Sequence, residues 1–160
     1  MKNGVLAAVL LLVCAGAAYA ATPLVPQSTQ DQVKGLYAEF GTPELAYVPT
    51  AAPKYFQLVN FGAARNLLSY TVADSRYPTG SKEERAVFFF IQSYHGSLKA
   101  CRQAKNGVAS FGSVRVYYEG FAAWRCVLAP NGKLVRLKAE SSIVRGGALG
   151  LMVAAINRIH

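Results

Sequence analysis

The chain is 160 residues long and 52% hydrophobic, with 17 lysines and arginines against 8 aspartates and glutamates. That length supplies one core and no sign of a second-domain boundary. After the first twenty residues no stretch reaches 18 uninterrupted apolar residues, which excludes a helical bilayer span and predicts a soluble mature protein. The charge is lopsided: residues 21–84 carry five basic and six acidic groups, whereas residues 85–160 carry eleven basic and two acidic. Such an asymmetry bears on partners and solubility rather than on fold.

Taken in order, the N-terminus reads as an export signal of bacterial type. Lys2 gives a positive start, Val5 to Val13 is an apolar run too short to cross a bilayer, and Ala18-Tyr19-Ala20 offers a small-x-small cleavage site before Ala21. A lipoprotein signal ending at Cys14 is the alternative, but Val13 stands where a lipobox needs a small residue. The predicted destination is the periplasm or the medium. Cleavage after Ala20 leaves Cys101 and Cys126, which in an exported chain predict one disulfide. Closing a loop of that size contributes about 3 kcal/mol in the chain-entropy description.

Residues 21–27 read as an extended leader with Pro23 and Pro26. Ser28 and Asp31 form a cap pattern for a helix over 28–40, with Val33, Leu36, Tyr37 and Phe40 at helical spacing and Gly41 and Pro43 ending it. Residues 44–54 read as a short extended segment and a turn, and residues 55–72 fit helix or strand. Asp74 to Gly80 is a loop. A second helix is predicted over 82–104: Ser81 and Glu84 make a capping box, and Val87, Ile91, Tyr94, Leu98 and Cys101 recur at steps of four and three. Lys105-Asn106-Gly107 would end it.

From Val114 to Leu128 the apolar residues keep one parity, which predicts a single long strand bent at Gly120. Asn131-Gly132 suits a two-residue turn that would set Leu128 opposite Val135, Cys126 opposite Leu137 and Trp124 opposite Ala139. Cys126 would then point inward to meet Cys101. The Gly-rich tail predicts a core helix over 147–158, with contact at a membrane surface as the lesser alternative. The resulting expectation is a single α+β domain, an antiparallel sheet with a long hairpin at about 113–140 packed by three helices.

Motifs for catalysis are wanting. The two histidines, His95 and His160, match no metal spacing with the cysteines, and no Gly-x-Ser-x-Gly elbow or phosphate-cradling glycine loop occurs. Glu119 beside Gly120 is the one isolated acid in an interesting setting, and a hydrolase built on it or on His95 is the least favoured reading. No cofactor or metal is expected. The hairpin's outer face instead predicts a binding surface of Arg115, Tyr117, Phe121, Arg125, Arg136 and Lys138, with Arg125 and Lys138 directly opposed as though awaiting an anion. The plainer account is that basic residues keep an exposed strand from aggregating. For an exported chain the expected partner is an acidic protein, as for an inhibitor, an immunity protein or an envelope-assembly factor. Anionic lipid, lipopolysaccharide or cell-wall polymer is the alternative, and nucleic acid is disfavoured by its scarcity in that compartment.

Overall fold

The computed structural model describes residues 22–78, 80–81 and 85–160. The expected signal segment and Glu84 of the expected capping box lie outside them. The fold is the expected α+β class: a seven-stranded antiparallel sheet, a two-stranded ribbon and a few helices around one core.

Helix α1 (Gln27–Glu39) matches the expected first helix, although Pro26 occupies the cap position and Ser28 lies inside the helix. A single 3₁₀ turn (Pro43–Leu45) leads into strand β1 (Tyr47–Pro49). The ambiguous 55–72 region is a hairpin of β2 (Phe56–Ala64) and β3 (Leu67–Asp74). Over the described residues 85–104 the expected helix does not form. Its place is taken by strand β4 (Ala86–Ser93) and a short helix α2 (Leu98–Cys101). Val87, Phe89 and Ile91 are fully buried, so the segment obeys a period of two. Its Phe88-Phe89-Phe90 run favours a pleated surface, and β4 is paired on both sides, with β3 and with β8 (Leu134–Glu140). Ser81 donates its hydroxyl to the Pro78 carbonyl at 2.7 Å.

The expected single strand over 114–128 is two strands, β6 (Val114–Glu119) and β7 (Ala122–Leu128), preceded by β5 (Gly107–Phe111). Gly120 takes φ +58°, a left-handed conformation that glycine adopts without strain and that folds the chain back at Gly120-Phe121. Glu119 then faces Ala122, and Tyr117 faces Trp124. The next turn differs too. Ala129 donates to the Lys133 carbonyl and Gly132 to the Ala129 carbonyl, at 2.8 and 2.9 Å, while Asn131 Oδ1 accepts from the Lys133 N–H. Pro130 presets its own φ for a type I turn, and Gly132 at φ +79° completes it. The loop is therefore three residues, and the register slips by one: Cys126 faces Arg136, Arg125 faces Leu137 and Trp124 faces Lys138. A one-residue slip turns every side chain of β7 to the other face.

The strand order in the large sheet is β2-β3-β4-β8-β7-β6-β5. One face is the core side, where α1, the 3₁₀ turn and α3 (Gly146–Ala154) pack with the ribbon of β1 and β9 (Ile156–Arg158). The tail is thus a shorter helix than expected, followed by a strand. Tyr37 anchors α1 by donating its hydroxyl to the carbonyls of Leu67 and Ala64 at 2.6 and 3.1 Å. α3 lies so close to β6 that a Cβ built on Gly150 would stand 1.8 Å from the Tyr118 hydroxyl and 2.7 Å from the Phe111 ring.

Two stability measurements follow from these contacts. Gly150→Ala must displace α3 or both rings, and the expected loss in urea unfolding is about 1–3 kcal/mol, the usual range for overpacking; an unchanged midpoint would contradict the close approach. The second concerns Asp74, whose buried carboxylate accepts from Arg76 Nε and Nη2 at 2.9 and 2.6 Å. These bonds hold its pKa down to about 2. Because the folded value lies below the unfolded one of about 3.9, this stabilisation is complete above pH 4 and disappears as pH falls toward 2. Asp74→Asn should therefore be less stable than wild type at neutral pH, with the difference vanishing across that acid window in pH-dependent melts.

Candidate functional site

The face of the sheet away from the core is the candidate site. Its outward side chains come from alternate positions of each strand, and the register lines them up in rows. One row runs Phe90, Lys138, Trp124, Tyr117 and Val108 across five strands. Trp124 is the centre of this row and only 6% exposed, because the segment carrying α2 lies over it. Its indole Nε1 donates to the Cys101 carbonyl at 2.7 Å, and its ring stacks on Tyr117 with centroids 6.3 Å apart. The Cys101–Cys126 disulfide forms as expected, but on this outer face rather than in the core. Ser97 caps α2 by accepting from the Ala100 N–H at 3.1 Å. The short helix is thereby strapped across the sheet and divides its face into two depressions.

The first depression, about 620 Å³, lies over Trp124 and includes Phe88, Phe121, Arg136 and Lys138 in its lining. Phe88 is 43% and Phe121 54% exposed, and the Arg145 guanidinium sits 4.5 Å from the Phe121 ring centroid. Lys138 is ion-paired with Glu140, and Glu119 is 3.6 Å from Lys105. Arg136 has no ion pair among the described residues; it lies 5.4 Å from the Tyr94 ring centroid, and its Nε is buried without a hydrogen-bond acceptor. The second depression, about 530 Å³, opens between β6 and β7 and contains Arg102, Arg115 and Arg125.

Of the six residues expected to form the surface, Phe121, Arg136 and Lys138 meet in the first depression. Arg115 and Tyr117 line the second. Arg125 departs from expectation. The register slip turns it toward the core side, where it donates to the Ile156 carbonyl, and burial lowers its pKa. It opposes Leu137, not Lys138, so the expected like-charge pair does not exist. Trp124, Phe88 and Arg102 were missed as site residues. The alternation of Val87, Phe89 and Ile91 was the signal that puts Phe88 outside.

The residues considered for catalysis are dispersed or engaged. Glu119 is exposed beside Lys105. His95 shares a third depression with Glu44, whose carboxylate is held by Lys133 and Asn131 at 2.8 and 3.1 Å. Burial pushes the Glu44 pKa up, but these bonds outweigh it and the net shift is downward, away from a proton donor near neutral pH. Among the described residues no group of three or more His, Cys, Asp or Glu is placed to hold a metal ion, and no helix is long and apolar enough to cross a membrane. No family model, curated protein or solved structure matches the chain.

Proposed function

We propose that this chain is an exported, non-catalytic binding protein that docks an acidic protein partner through the outer face of its sheet. The observation that carries this reading is the first depression: two exposed phenylalanines flank a strapped tryptophan and an arginine that has no ion pair among the described residues. Aromatic side chains and arginine around a partly desolvated pocket are the composition of interface hot spots. The basic excess of residues 85–160 would steer an acidic surface toward it. The disulfide favours an oxidising compartment, in keeping with the export signal.

The test is capture from envelope and secreted fractions by residues 21–160 with the disulfide formed. Phe121→Ser and Arg136→Glu variants run beside wild type. The expected result is one acidic protein recovered at fixed stoichiometry and reduced at least tenfold by either variant, since hot-spot losses of about 2 kcal/mol exceed that factor. Diffuse retention of lipid or polysaccharide that washes off in salt would replace the protein partner with an anionic surface. Equal recovery by all three proteins would reduce the face to a solubility device.

A further inference from the structure

Strands β6 and β7 pair only where Tyr117–Glu119 meets Ala122–Trp124. Beyond that, β6 stays with β5 as far as Val114, and β7 stays with β8 as far as Leu128. The two strands part company, and the cleft of about 530 Å³ fills the gap. Three arginines from three directions line it: Arg102 from the end of α2, Arg115 from β6 and Arg125 from β7. No carboxylate among the described residues does.

Four of the protein's acids are already engaged with other cations. Glu119 and Glu140, the two acids of residues 85–160, are paired with Lys105 and Lys138. Asp74 is bound by Arg76 and Glu44 by Lys133. Arginine cannot relieve the crowding by losing its proton at any physiological pH. Arg125 is fixed on the core side by its bond to the Ile156 carbonyl, so it adds positive charge behind the cleft rather than a donor within it.

We infer that the cleft between β6 and β7 binds a phosphate group, held by Arg102 and Arg115, the two of its arginines that are exposed. A carboxylate has two oxygens and one charge, which one guanidinium fork satisfies, whereas a phosphate dianion offers enough oxygens and charge for several forks. The cleft falls within the volume range of small-molecule sites, so it has room for phosphate carried on a small molecule as well as for the free ion. The site lies across α2 from the docking depression and does not rest on the docking reading.

The test is calorimetric titration of the disulfide-bonded protein at constant ionic strength, with inorganic phosphate, glycerol 3-phosphate and acetate as probes. Saturable one-to-one binding of phosphate is expected, weakened at least tenfold in Arg102→Gln and in Arg115→Gln. Both side chains are exposed, so those variants should keep the wild-type melting temperature. Tighter binding of glycerol 3-phosphate would assign the site to a phosphorylated molecule, and equal or weaker binding to free phosphate. Affinity should fall as pH drops through the pKa at which each phosphate dianion becomes a monoanion, while the arginines stay charged. Acetate binding as well as phosphate, or phosphate binding unchanged in both variants, would overturn the inference.

Discussion

The three-residue turn at Pro130-Asn131-Gly132 decides which side of β7 meets the core, and the functional face is arranged around that decision. With this loop Ala123, Arg125 and Val127 face inward, while Trp124, Cys126 and Leu128 face outward. One residue fewer in the loop would bury Trp124 and expose Arg125. The large indole would then have to fit into a core already occupied by α3, and Cys126 would lie on the far side of the sheet from α2. The disulfide, the indole hydrogen bond to Cys101 and the two depressions all depend on the observed register.

The disulfide and Trp124 act together on the outer face. Four helical residues cannot hold their own conformation in water, because helix nucleation fixes several residues for a single hydrogen bond. The covalent bond at Cys101, the indole donor and the Ser97 cap supply what the helix lacks. In return the strap excludes water from an indole that would otherwise lie open. Its edges make the walls of both depressions, so a bond expected to stabilise the core instead shapes the binding surface.

Charge follows the same division. Lysines take the few carboxylates of the C-terminal half, at Glu119 and Glu140, and leave the arginines at the two depressions without an ion pair among the described residues. Lysine is a mobile point charge, whereas arginine presents a planar fork of fixed donors. The rigid donors therefore stand where recognition is possible, and the pliable cations do the neutralising.

Local patterns determined some of this from the sequence by itself. The α+β class, the first helix, the inward face of β8 and the pairing of two cysteines all follow from periodicity, turn residues and composition over a few positions. Of the site, Arg136 and Lys138 were legible because β8 alternates cleanly, whereas Phe121 was placed on the outer face of a continuous strand and in fact sits at the turn between β6 and β7. The 82–104 segment was not, since Val87 and Ile91 satisfy a helical step of four and a strand step of two equally well. Pairing on both sides by β3 and β8 settled it, and that is a fact about distant residues. The face of β7 also lay beyond local reading: Asn131-Gly132 is compatible with two loop lengths whose registers differ by one. Only packing of the whole sheet against α3 and β9 chose between them, because a residue's face is a property of its partners and not of its own side chain.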